Sequence, residues 1–156
     1  MGEKSGILEE ALSWLSASVI FVMMALTSVD VFMRYVVSRP VPGAFEVSEI
    51  LMALLVFSAL PLVSLRNEHV TVEFAEKLIP PRLAPYVDAL VQLFIAALMF
   101  SAGWLLWQRA PRVQQYGDAT TALEIPIWPL LYVMGTLLIV TGAVHVYKAI
   151  RSFLAK

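Results

Sequence analysis

The chain has 156 residues, of which 60% are hydrophobic and 15% charged, and its formal net charge is −1. Soluble domains carry roughly 25% charged residues, and a mean hydropathy of +0.79 sets this chain outside that class. The near-neutral balance gives nucleic acid no electrostatic handle, and with no cysteine there is no disulfide, thiolate metal site or cysteine nucleophile.

The charges are clumped, and the gaps between them define the elements. Nineteen uncharged residues separate Glu10 from Asp30, sixteen separate Glu49 from Arg66, twenty separate Asp88 from Arg109 and twenty-three separate Glu124 from Lys148. A bilayer core of about 30 Å takes about 20 helical residues. The sequence therefore predicts an all-α membrane protein with four transmembrane helices. They fall over residues 12–36, 46–65, 84–108 and 125–147, in a single integral membrane domain. A cleaved signal peptide is not expected. The start "MGEKSGILEE" is mixed in charge, and the first apolar run exceeds the usual signal core of roughly 7–15 residues.

Near the far end of helix one, Asp30 and Arg34 are four apart and share a face, as an interfacial ion pair would. Earlier in the same helix, Ala17, Ser18, Ala25 and Ser28 are small residues that permit close helix approach, within the bundle or to a partner chain. The loop "SRPVPGAF" then breaks any continuous helix with Pro40, Pro42 and Gly43. Glu46 and Glu49 open helix two, where negative charge suits the positive end of the helix dipole. Pro61 predicts a kink near its other end.

The connector "SLRNEHVTVEFAEKLIPP" concentrates charge between two apolar runs. Val70, Phe74 and Leu78 recur every four residues, with Glu73, Glu76 and Lys77 opposite. That is the pattern of a short amphipathic helix lying on the membrane surface. Alternation in "HVTVEF" also permits a strand, but an isolated strand there leaves backbone groups unpaired. Helix three ends near Trp104 and Trp107, interface anchors, and "RAPRVQQYGDATTALE" is expected to be a polar loop. "IPIWPLLY" opens helix four, with Pro126 and Pro129 suited to a first helical turn.

Lysine and arginine set the orientation. With both termini inside, the cytoplasmic side holds Lys4, Arg66, Lys77, Arg82, Lys148, Arg151 and Lys156, against Arg34, Arg39, Arg109 and Arg112 outside. Seven against four favours this topology. No span carries a carboxylate near its centre, as transport by this chain alone would require. His69 falls in the connector, and His145 near the inner end of helix four reads as an interfacial polar residue rather than a ligand. No catalytic residue, cofactor or metal is expected, and the chain is not read as an enzyme. Two alternatives stay open: a haem-bearing membrane anchor of a redox enzyme using His145, and a self-sufficient homo-oligomeric carrier.

Several short motifs occur in a fixed order. Helix one ends in "MRYV", helix two begins at Glu46, and His69 follows twenty-three residues later within "RNEHVTVE". Pro80 closes the connector and "IPIW" opens helix four. In this order the chain resembles the small membrane subunit, the DctQ-like component, of tripartite ATP-independent periplasmic (TRAP) transporters. The resemblance implies a bacterial cytoplasmic-membrane protein that serves as a fixed scaffold in a sodium-driven system. In such systems a periplasmic solute-binding protein captures an organic acid or related solute, and a large membrane permease subunit moves it. Solute and sodium contacts belong to the large subunit, so none is carried over. Arg34, Glu46, Glu49, Arg66, His69 and Glu73 stand as candidates for bracing the subunit or meeting its partners, with Arg66 and His69 tying the connector to neighbours or lipid phosphates.

Overall fold

The computed structural model describes residues 7–65 and 84–154. They form four helices: α1 (Ile7–Val36), α2 (Ala44–Leu65), α3 (Ala84–Tyr116) and α4 (Trp128–Leu154). All four are long and apolar enough to cross a membrane. Among the described residues no strand forms, and one isolated bridge joins Ala119 to Pro126. The surface helix expected between the second and third spans lies at 66–83, outside the described residues, and so do Arg66, His69 and Glu73.

The principal contacts run from α1 to α2, from α2 to α4 and from α4 to α3, the last being the most extensive. The helices therefore stand in the spatial order α1, α2, α4, α3. Helix α1 buries a stripe whose spacing explains this place at the edge. Leu12, Ser16, Val19, Met23, Leu26, Asp30 and Met33 recur at alternating steps of four and three, and all are buried or half-buried. Such a repeat keeps one seam facing one neighbour. Ala17, Ser18, Ala25 and Ser28 fall on the other side and are exposed, so they do not pack this bundle against itself. The Thr27 and Ser28 hydroxyls donate to the carbonyls of Met23 and Met24, each at 2.8 Å, which keeps them satisfied in an apolar medium.

Inside the seam, the fully buried Ser58 donates to the Leu55 carbonyl at 3.0 Å. Its single proton is thereby committed, so across the 3.2 Å gap it is the Ser16 hydroxyl that donates to Ser58.

Helices α3 and α4 approach through glycines. A Cβ on Gly103 would lie 2.9 Å from the Gly135 carbonyl oxygen, and one on Gly135 would lie 2.4 Å from the Trp107 indole. Small residues let backbones come this close, which matters where lipid offers no hydrophobic drive to association. Beside the crossing, Tyr132 meets Trp107 edge-on at 5.4 Å and Trp128 at 6.2 Å between ring centroids, a geometry that suits the ring quadrupoles.

Several boundaries differ from the sequence expectation, among them the start of α1, which lies at Ile7 rather than residue 12. Helix α3 does not stop at Gln108. It continues through Pro111 to Tyr116, giving 33 residues, or roughly 50 Å at 1.5 Å per residue. The polar stretch expected to be loop is helical because Arg and Gln propagate helices well, and because Ala110 is fully buried there. The helix stops where Gly117 adopts φ 70° and the Asp118 N–H closes back onto the Val113 carbonyl at 3.1 Å. Helix α4 begins at Trp128 rather than at residue 125. Pro126 sits in the bridge to Ala119, so only Pro129 occupies the first turn, and the helix runs on to Leu154. Helix α2 passes through the buried Pro61 without interruption.

Candidate functional site

At one end of the molecule, the end of α1, the start of α2 and the connection from α3 to α4 come together. Helix α1 closes with Ser38 in the left-handed region, φ 57°, and the Arg39 N–H bonded to the Met33 carbonyl at 3.2 Å. Asp30 holds the loop that follows. One of its oxygens accepts from the Val41 N–H at 2.9 Å and the other accepts from Arg34 at 2.8 Å. Asp30 and Arg34 thus pair as their spacing implies, with Asp30 largely buried and Arg34 mostly exposed.

The connection from α3 to α4 folds back on itself. Thr120 and Ile125 bond through the Thr120 N–H and through the Thr120 hydroxyl oxygen, each at 3.0 Å. The Ile127 N–H reaches the Asp118 carbonyl at 3.2 Å. Between them is a single helical turn, in which the Glu124 N–H donates to the Thr120 carbonyl and Glu124 takes φ 53°. A lone turn leaves its first N–H groups without partners inside it, and such a concavity of N–H groups binds anions.

Glu46 fills that concavity. Its two carboxylate oxygens accept from the N–H groups of Ala122 at 2.6 Å and Leu123 at 3.0 Å. The approach is possible because residue 43 is glycine. Gly43 has φ 73°, and a Cβ there would fall 2.3 Å from Leu123 Cγ. Glu46 therefore does more than complement its own helix dipole: it fastens the start of α2 to the entrance of α4. Glu49 is exposed and takes no ion pair or hydrogen bond among the described residues.

At the opposite end, three helices share a buried polar cluster that the sequence reading did not assemble. His145 is 1% exposed, so it is a core residue and not a wetted interfacial one. Its Nδ1 lies 2.5 Å from Gln92 Oε1 on α3, and its Nε2 lies 3.0 Å from the Ser64 hydroxyl on α2. A neutral ring with its proton on Nδ1 satisfies both, donating to Gln92 and accepting from Ser64. Both ring nitrogens are engaged, so neither is presented to a haem iron. Lys148, one turn on, donates to the Ser64 carbonyl, one of the carbonyls that the end of α2 leaves open. The available signal was the polarity itself: Gln92 and His145 stand within two otherwise uncharged runs, where an unpaired polar group is costly.

Of the six residues singled out from the sequence, three lie among the described residues. Arg34 and Glu46 lie at the α1–α2 end, each in a defined contact, with Glu49 one turn beyond Glu46 and unpaired among the described residues. Arg66, His69 and Glu73 lie outside the described residues. Among the described residues no group of three or more His, Cys, Asp or Glu side chains is placed to hold a metal ion.

No curated protein matches the chain. A family model does, over residues 23–155, and its description is "Tripartite ATP-independent periplasmic transporters, DctQ component". That match takes in the second half of α1 and all of α2, α3 and α4, with the Glu46 contact and the His145 cluster. With four helices suited to a membrane and a match over most of its length, the chain belongs to the DctQ family, the small membrane component of TRAP transporters.

Proposed function

We propose that this subunit is a rigid, non-catalytic scaffold of the bacterial cytoplasmic membrane. It packs against a large permease subunit that carries the solute, an organic acid or related compound, at the expense of a sodium gradient. A periplasmic solute-binding protein delivers the solute. Both termini of the scaffold face the cytoplasm, which puts the Glu46 contact on the periplasmic side and the His145 cluster on the cytoplasmic side.

The observation that supports this reading is where the polar groups are directed. Glu46 is engaged by loop amides, Lys148 by the end of α2, and His145 by α2 and α3. Each ties one helix to another at the ends of the spans. A carrier needs ionisable groups that face a path near the bilayer centre, whereas groups used in this way make a stiff support. The exposed Ala17, Ser18, Ala25 and Ser28 of α1 leave that support a face that another chain can approach closely.

The test is uptake in proteoliposomes combined with labelling in cells. Uptake is expected only with this chain, the large permease and the binding protein together, and only with a sodium gradient. Uptake by this chain alone would end the scaffold reading. Single cysteines at Asn67 and Ser152 should resist an impermeant thiol reagent in intact cells, while one at Thr121 should react. The reverse pattern would invert the topology.

A further inference from the structure

Helices α2 and α3 flank α4, and over α4 they leave an open groove of about 340 Å³. Its walls are Val56, Ala59, Leu60 and Val63 of α2 and Ile95 and Met99 of α3, with Thr141 and His145 of α4 on the floor. Thr141 returns its hydroxyl to the Leu137 carbonyl at 2.8 Å, and both ring nitrogens of His145 are engaged. The groove is therefore apolar along its length. It ends at Ser64, whose carbonyl holds the Lys148 ammonium.

We infer that this groove is a binding site for one glycerophospholipid, with an acyl chain lying between α2 and α3 and the phosphate held by Lys148. Three features of the groove favour that occupant. From Val56 to Ser64 is roughly 12 Å along a helix, close to the depth of one leaflet, about half of a 30 Å hydrocarbon core. Val56 is near the middle of α2 and Ser64 near its end, so the groove runs from the bilayer midplane to one interface, as a lipid tail does. The groove is open along one side and its lining is apolar, as a flexible hydrocarbon chain laid along it requires. The cation stands at the interfacial end, where a headgroup lies. An ammonium has three donors; among the described residues one serves the Ser64 carbonyl, and the others are offered to phosphate oxygens. Arg151, one turn beyond Lys148 and exposed, adds positive charge on the same side.

This inference rests on the chain spanning a membrane and not on its having a permease partner, so it stands or falls separately from the scaffold reading. The test is native mass spectrometry of the full-length chain in detergent, alone and co-purified with the large permease, after delipidation and addition of phosphatidylglycerol. One adduct per chain is expected in both states. Ala59→Trp and Met99→Trp, which fill the groove from opposite walls, should abolish it. Lys148→Gln should weaken it about tenfold, as loss of a charge-assisted hydrogen bond does. Arg109→Gln, at the other end of α3, should leave it unchanged. Inorganic phosphate should not displace the lipid. A wild-type chain that keeps no lipid overturns the inference without reference to any variant. So does displacement by phosphate alone, or retention by both tryptophan variants. Loss of the adduct when the permease binds would give the groove to a partner helix, which also overturns it.

Discussion

The carboxylate of Glu46, in the first turn of α2, is held by the backbone N–H of Ala122 at 2.6 Å across a sequence separation of 76 residues. With Leu123 taking the second oxygen at 3.0 Å, one side chain fixes the relative height of α2 and the entrance to α4. The contact uses both oxygens of an anion against fixed dipoles, so charge and shape both matter.

Glu46→Gln keeps one acceptor and loses the charge, and Glu46→Ala loses both. Hydrogen exchange at the Ala122 and Leu123 amides should accelerate about tenfold in the alanine variant as the turn opens locally, with the glutamine variant in between. Glu49→Gln should leave both amides protected as before. Equal protection in all three variants would remove Glu46 from its role as a fastener.

The His145 cluster should behave as one unit. Gln92→Leu or Ser64→Ala strips a buried ring nitrogen of its partner, and each should cost about 1–3 kcal/mol. Because both partners act through the same imidazole, the double variant should differ from the sum by about 0.5–3 kcal/mol. Unfolding in mixed micelles measures the three terms. Strict additivity would mean that the two hydrogen bonds act independently and that the cluster is not one unit.

Two glycines separate a packing constraint from a backbone one. At Gly103 a methyl group meets the Gly135 carbonyl oxygen at 2.9 Å, a backbone atom that cannot swing aside. Gly103→Ala should therefore prise α3 from α4, at about 1–3 kcal/mol for overpacking, and expose Trp107 enough to shift its emission to the red. At Gly117 there is open space but φ is 70°. Gly117→Ala should cost about 1–2 kcal/mol with unchanged tryptophan emission, and Gly117→Asn should cost less because asparagine tolerates the left-handed region. A red shift at position 117 with none at 103 would contradict both assignments.

The four spans were legible because lipid imposes one simple rule: long apolar runs are paid for by the bilayer, whatever they pack against. The Asp30–Arg34 pair was legible because it is local, at i and i+4. The role of Glu46 was half legible. Its place at a helix start could be read, but its partners are backbone N–H groups, which every residue carries and no side chain advertises. Extension of α3 to Tyr116 was missed because hydropathy records where a helix leaves the membrane and not where it ends. His145 was misplaced for a related reason. Its distance from the end of the span suggested the interface, whereas Gln92 and Ser64, from two other helices, supply the satisfaction that lets it be buried.

The order α1, α2, α4, α3 also bears on how the chain is made. Each outer helix leans on the helix next to it in sequence, α1 on α2 and α3 on α4. The chain is thus two antiparallel helical hairpins, each able to leave the insertion machinery as a pair whose mates are synthesised in succession. Of the principal contacts among the described residues, the one between α2 and α4, two parallel helices, must wait until the second hairpin is in the bilayer. That late seam carries a bond near each end: the Glu46 carboxylate at the entrance to α4, and Ser64 on His145 and Lys148 one leaflet or more away. Two widely spaced fasteners on a two-piece body set register as well as adhesion, because a hairpin that slides by one turn, about 5.4 Å, loses both at once.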